Sequence, residues 1–156
     1  MTPGTYTQLY IHLIFAVKNR EAKLTDDIRK TVFEYMSGII TAMDHKSIIV
    51  GGVSDHTHIL LGFNPLVTVS DTVYHIKRST SLFINKQRFC PDNFSWQKGY
   101  GAFSYSRSQL SRVFQYILNQ EKHHQKTTFK TEYLEFLEKF SIEYDEKYLF
   151  DFWDNK

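Results

Sequence analysis

Ser47-Ile-Ile-Val-Gly-Gly-Val-Ser-Asp-His-Thr-His-Ile-Leu-Leu-Gly-Phe63 contains two short apolar segments, Ser47 to Val53 and Thr57 to Phe63, with Ser54 and Asp55 between them. Two β-rich segments around a short polar break read as a hairpin. On either side lies a helix pattern. Upstream, after Thr25, Asp26 and Asp27, the apolar residues Ile28, Val32, Tyr35, Met36, Ile39 and Met43 recur at helical spacing; downstream Val69, Val73, Ile76, Thr80 and Phe83 do the same. Further out, Leu9, Ile11, Leu13, Phe15 and Val17 alternate with period two, the mark of a strand with a buried face, and Phe94 to Tyr105 reads as an aromatic, glycine-punctuated strand or strand pair. The order βαββαβ predicts an α+β fold: a ferredoxin-like, split βαβ antiparallel sheet with two helices against one face and the other face available.

Two more helices are expected beyond this unit. Ser106 with Gln109 forms a capping-box pattern, and Leu110, Val113, Phe114, Ile117 and Leu118 then make an apolar stripe running to about His123. Phe129, Tyr133, Phe136, Leu137 and Phe140 repeat the pattern in a last helix. The 156 residues fit one compact domain, 1–156, with 129–156 as an acidic, helical C-terminal extension. No repeat or Pro/Gly/Ser-rich linker divides the chain. The single cysteine, Cys90, allows no intramolecular disulfide, and neither a secretory segment nor a membrane-spanning run is present, so a cytoplasmic setting is expected.

The formal net charge of +2 conceals an uneven distribution. Residues 1–128 carry 15 Lys or Arg against 9 Asp or Glu, whereas 129–156 carry 4 against 8. Between His75 and Arg112 the basic residues Lys77, Arg78, Lys86, Arg88, Lys98, Arg107 and Arg112 face only Asp92. Such a stretch suits phosphate neutralisation, although an ordinary solvated surface has the same composition.

His56 and His58 stand two apart on a predicted strand, so both imidazoles point to one face, about 7 Å apart along the backbone. They can converge on one metal, while Thr57, Ile59, Leu61 and Phe63 hold the opposite face in the sheet. A His-x-His pair alone is a weak signal, because surface or hydrogen-bonded histidines give the same pattern. Tyr116 and Gln120, four apart, project from one side of their helix, and with Gln109 and Arg112 they form a polar face opposite the apolar stripe. A half-buried tyrosine at an interface is the plain alternative.

Taken together these pieces resemble the single-tyrosine transposases of the HUH endonuclease superfamily, the insertion sequence 200/605 group. The resemblance rests on His12-Leu-Ile-Phe, Gly51-Gly-Val-Ser-Asp-His-Thr-His-Ile-Leu, Ile76-Lys-Arg-Ser-Thr-Ser, Trp96-Gln-Lys-Gly-Tyr-Gly-Ala-Phe-Ser, Tyr116-Ile-Leu-Asn-Gln with His123-His124, and Ile142-Glu-Tyr-Asp-Glu-Lys-Tyr-Leu. Thr57 stands where the family pattern carries a bulky hydrophobic residue, and its β-branched side chain is strand-compatible.

The resemblance implies a DNA transposase that cleaves and rejoins single-stranded DNA through a 5′-phosphotyrosine. Tyr116 would be the nucleophile, and His56, His58 and Gln120 the protein ligands of a divalent ion, Mg²⁺ or Mn²⁺. A tyrosyl phosphodiester conserves the cleaved bond, so rejoining needs no ATP. A free phenol has a pKa of about 10, so the attack needs help in removing its proton. Lys77, Arg78, Lys98, Arg107 and Arg112 are candidates for phosphate contacts, and Trp96 and Tyr100 for base stacking. His123 and His124 lie near the site or cap the helix end, with capping favoured. The family further implies a homodimer in which the tyrosine helix of one chain serves the other, hairpin substrates near element ends, and action at the nucleoid of a prokaryotic cell. Barrel hydrolases need a longer chain and two-histidine phosphoesterases need a second histidine motif; replication or conjugation initiators of the same superfamily are usually longer. The remaining alternative is a domesticated protein of the same fold that binds a DNA or RNA hairpin without cutting it.

Overall fold

The computed structural model describes residues 2–149. Its sheet is built from β1 (Tyr10–Ala16), β2 (Lys46–Gly52), β3 (His56–Gly62) and β4 (Gly101–Tyr105), in the spatial order β2-β3-β1-β4 with every neighbour antiparallel. Helix α1 (Asp26–Ala42) links β1 to β2, and α2 (Val69–Lys86) links β3 to β4. This is the expected βαββαβ order. The Phe94 to Tyr105 segment resolves into β4 and an isolated antiparallel bridge between Val17 and Trp96.

Period two in β1 and β3 sorts the core. Leu13, Phe15, Val17, Ile59, Leu61 and Phe63 face α1 and α2, where Val32, Met36, Ile40, Val73, Ile76 and Ile84 complete one fully apolar cluster. Thr68 caps α2, its hydroxyl accepting from Asp71 N at 3.0 Å, which satisfies one of the amides left open at a helix start.

The opposite face differs from the expectation: it is covered. Helices α3 (Leu110–Leu118), α4 (Gln120–His123) and α5 (Phe129–Lys139) lie across it. Val113 and Ile117 pack on Leu60, while Phe129, Tyr133 and Leu137 pack on Ile14, Ala16 and Phe103. Two glycines permit the close approach. A Cβ at Gly51 would stand 2.8 Å from Ile117 Cγ2 and 2.9 Å from Ile117 O, and one at Gly101 would stand 2.8 Å from the Tyr133 hydroxyl.

Ser106 and Gln109 form the expected capping box ahead of α3. The helix does not run unbroken to His123, because Asn119 leaves the helical conformation at φ −96° and ψ 20°, and α4 starts afresh at Gln120. The buried side of α3 carries Val113 and Ile117, whereas Leu118, expected in the apolar stripe, is 59% exposed. Thr128 caps α5 by accepting from Thr131 N. That helix stops at Lys139, with Ser141 at φ 53°, so among the described residues 129–149 the expected helical extension consists of α5 and a 3-10 turn at Glu146–Tyr148. Residues 150–156 of that extension lie outside the described residues. Among the described residues, no helix is long and apolar enough to cross a membrane.

Candidate metal and nucleophile site

Strand β3 aims His56, His58 and Leu60 at the face that α3, α4 and α5 cover, and all three are fully buried. Antiparallel pairing sets His58 opposite Ile14 and His56 opposite Ala16 on β1, so small and aliphatic neighbours flank both imidazoles. Thr57, on the other face, satisfies its buried hydroxyl by donating to Gly51 O at 2.9 Å, which explains how a polar residue fills a position suited to a bulky apolar one.

Each imidazole is turned by a partner on its inner nitrogen. His56 Nδ1 stands 2.7 Å from Asp55 Oδ1, and Asp55 in turn accepts from Arg20 Nε at 2.8 Å. His58 Nδ1 stands 2.8 Å from His12 Nε2, one ring on β3 against one on β1. Both Nε2 atoms are thereby directed to one place. Holding Nδ1 by a second residue so that Nε2 faces outward is the usual arrangement behind a metal-ligating histidine.

A carboxylate from α5 fills that place. Glu132, 1% exposed, brings Oε1 to 3.5 Å from His56 Nε2, 3.2 Å from His58 Nε2 and 3.1 Å from His124 Nε2. Its Oε2 accepts from the Tyr116 hydroxyl and from Gln120 Nε2 at 3.0 Å, and lies 3.3 Å from His123 Nε2. Gln120 turns its Oε1 toward His56 Nε2 at 3.3 Å. One buried carboxylate thus joins four imidazoles, an amide and a phenol.

The electrostatics follow from burial among opposite charges. Burial alone would raise the Glu132 carboxyl, but the charge of His58 and hydrogen bonds from His124, His56 and His58 hold it far below its ordinary 4.5. Burial lowers His56, yet Asp55 and Glu132 outweigh it and leave His56 above 6.5. Burial lowers His58 below 6.5, and the charges of His56 and His124 add to that, together outweighing the raising effect of Glu132. The Tyr116 phenol is raised above its ordinary 10, by burial first and then by the charge and hydrogen bond of Glu132.

His56, His58, His124 and Glu132 offer four donor atoms, all within 4.8 Å of one another. Imidazole nitrogens with one carboxylate oxygen, each oriented by a further hydrogen bond, fit a divalent transition metal. Beside this pocket opens a cleft of about 220 Å³ lined by Arg112, Tyr116, His123, Glu132, Glu135 and Lys139, among others.

The structure brings His56, His58, Tyr116 and Gln120, which the family resemblance groups together, around Glu132. It places Tyr116 and Gln120 on the inward side of their helices, Tyr116 half-buried and Gln120 1% exposed, and not on an outward polar face. The Tyr116 ring is centred 5.9 Å from the ring of His58 in its own chain. His123 and His124, expected chiefly as helix caps, face Glu132 instead. Glu132 escaped the sequence reading, although its spacing of three from Phe129 and four from Phe136 marks it as the one carboxylate on the apolar stripe of α5.

Other expected DNA contacts separate. Lys77 and Arg78 are on α2, across the sheet from the histidines. Lys77 Nζ donates to Gln97 O at 2.8 Å and Gly99 O at 2.7 Å, and burial pushes its pKa down to about 8, so it ties down a loop. Trp96, partly buried, packs on Phe15 and Phe94 and donates Nε1–H to Thr80 Oγ1 at 2.9 Å, which fixes it against the apolar cluster on the α2 side. Lys98 and Tyr100 are exposed on the loop that Lys77 holds, and Gln97 N anchors that loop on Ala16 O, opposite His56. Arg107 is exposed in the turn before α3, and Arg112 borders the tyrosine cleft.

Among curated proteins none matches the chain. Two solved structures resemble its fold: a candidate transposase from Deinococcus radiodurans R1, with TM-score 0.61, 24% identity and coverage of 77% of this chain and 96% of that one, and a REP-associated tyrosine transposase bound to a REP hairpin, with TM-score 0.58, 12% identity and coverage of 80% and 74%. The family model described as "Transposase IS200 like" matches residues 5–120, a span that takes in the histidine pair, Tyr116 and Gln120, and the chain therefore belongs to the IS200-like transposase family.

Proposed function

We propose that this transposase cleaves and rejoins single-stranded DNA at insertion-sequence ends through a 5′-phosphotyrosine on Tyr116. The observation that carries the reading is the meeting of the Tyr116 hydroxyl with His56, His58 and Gln120 on one buried carboxylate.

In the cleavage step the Tyr116 oxygen forms a bond to the scissile phosphorus, and the bond from phosphorus to the DNA 3′-oxygen breaks. The phenolic proton has two acceptors within reach, Glu132 Oε2 and His123 Nε2 at 3.3 Å, and the departing 3′-oxygen takes a proton from water. Rejoining is the reverse, with a 3′-hydroxyl attacking and the phenol leaving. His56, His58 and Gln120 would hold a Mg²⁺ or Mn²⁺, which when bound would offset the charge that builds on the phosphoryl oxygens. Arg112 and Lys139 border the cleft beside Tyr116 and supply fixed positive charge for the same phosphate. Because Tyr116 reaches the histidine pair of its own chain, we assign the site to a single chain. A hairpin near the element end is the substrate, a reading supported by the structural neighbour bound to a REP hairpin.

The test incubates purified protein with single-stranded DNA from its own gene ends in Mg²⁺, Mn²⁺ or EDTA and looks for a covalent adduct on a denaturing gel. An adduct with either metal is expected, none in EDTA, and none for Tyr116→Phe. Hairpin binding without an adduct in any metal would replace this reading with that of a non-cleaving binding protein.

A further inference from the structure

Residues 121–149 lie beyond the span matched by the family model, yet His124 and Glu132, both in that stretch, reach the centre of the site. We propose that His124 and Glu132 are metal ligands, so that one chain builds a centre of three histidines and one carboxylate with His56 and His58, and that Gln120, instead of completing the ligand set, holds Glu132 by donating to its Oε2. The inference deepens the reading of the same pocket as a strand-transfer site and rests on that reading for the metal's use.

Three features carry it. The first is distance. Ligands bound tetrahedrally at about 2.1 Å stand about 3.4 Å from one another, and the three imidazole nitrogens already lie 3.5, 3.2 and 3.1 Å from Glu132 Oε1. The donor set, all within 4.8 Å, would have to close by at most about 1.4 Å around an ion. The second is orientation. His124 is held as the other two are, its Nδ1 standing 3.1 Å from Thr127 O while Nε2 faces the carboxylate. That backbone carbonyl makes Nδ1 the protonated nitrogen and leaves the Nε2 lone pair for a metal. The third is division of labour. Glu132 turns one oxygen to the three imidazoles and the other to Tyr116 and Gln120, so the carboxylate can bind a cation without giving up its position beside the nucleophile.

The donor set decides which ion it selects. Three imidazoles and one carboxylate favour Mn²⁺, Zn²⁺ or Co²⁺ over Mg²⁺, which keeps its water and prefers oxygen ligands. Thr128, which caps α5, sets the helix that delivers Glu132, so the ligand is fixed by a local feature of the sequence.

The experiment measures Mn²⁺ and Mg²⁺ binding to the full chain without DNA by titration calorimetry, for wild type, His124→Ala, Glu132→Gln and Gln120→Ala. Wild type is expected to bind Mn²⁺ at least about 100-fold more tightly than Mg²⁺, and His124→Ala and Glu132→Gln each to weaken Mn²⁺ by at least about tenfold. Unchanged Mn²⁺ affinity in either variant overturns the proposal, as does equal affinity of wild type for the two ions. Since Glu132 is a buried hub, a second measurement needs no substitution. Proton spectra of the Co²⁺-loaded wild type should contain three strongly shifted, exchangeable imidazole N–H signals; two would leave only the histidine pair as ligands. A chain that binds metal in this way but forms no DNA adduct would retain the centre and lose the proposed reaction, whereas an adduct with two imidazole signals would do the opposite.

Discussion

The two faces of the sheet use alternate positions of the same strands for opposite ends. On the α1 and α2 side, Phe15, Ile59 and Leu61 meet Met36, Ile40 and Ile76 in an apolar cluster that ionisable groups only border, with His45 beside the Phe63 ring and Lys77 over the Phe15 ring. On the α3 to α5 side, His12, His56 and His58 alternate with those same residues and meet Glu132, Tyr116 and Gln120. The first face stabilises the sheet by apolar burial. The second holds charge in a buried place, which is tolerated because Glu132 meets imidazoles, an amide and a phenol there. A period of two lets one strand do both.

The largest expected effect breaks the second face alone. Tyr116→Phe removes one hydroxyl and should abolish adduct formation on a denaturing gel, while thermal unfolding of the variant stays close to wild type because Glu132 keeps its imidazole and amide partners. Met36→Ala does the reverse. It opens a cavity in the apolar face and should cost about 2–5 kcal/mol in denaturant unfolding, with the adduct rate per folded molecule unchanged. If Met36→Ala slowed the chemistry as much as it destabilised the fold, the two faces would not be separable.

A third comparison uses pH. The Glu132 carboxyl is held below its ordinary 4.5, so its contribution to stability is complete above that value and is lost as pH falls toward the folded value. The stability difference between wild type and Glu132→Gln, followed by denaturant unfolding without metal, should shrink below pH 4.5 by up to about 1.4 kcal/mol per pH unit. A difference constant from pH 7 to pH 3 would mean that the carboxylate is not stabilised by its neighbours. The smallest effect concerns DNA. Arg112→Ala, beside the tyrosine cleft, should weaken single-strand binding a few-fold and reduce the salt slope by about 0.7, whereas Arg78→Ala, across the sheet, should change neither; filter binding at several salt concentrations separates them.

The hairpin around Ser54 and Asp55 made the strand faces legible, because alternation is a local property: His56 and His58 had to share a side, and Ile59 and Leu61 the other. The four-residue spacing of Tyr116 and Gln120 was equally local. Which way they pointed was not, since the stripe from Leu110 to Leu118 is broad enough to allow two burial directions, and only packing of Ile117 against Gly51 selects one. Glu132 was hidden in the run Glu132, Glu135, Glu138, which on composition is a solvated helix face; only the phase it shares with Phe129 and Phe136 marks it out. Lys77 looked like a free cation because nothing in its neighbourhood along the chain announces the carbonyls of Gln97 and Gly99 that it binds. Those are the contacts that depend on residues far apart in sequence.

The central claim is that a single chain assembles the nucleophile and its metal ligands. Mixing His56→Ala with Tyr116→Phe protein and assaying the mixture on gene-end DNA, with wild type alongside, tests it. With both sets of residues in one chain, neither variant holds an intact site, and the mixture should form no adduct while wild type does. An adduct restored in the mixture would show that the tyrosine of one chain serves the histidines of another, and would contradict the account.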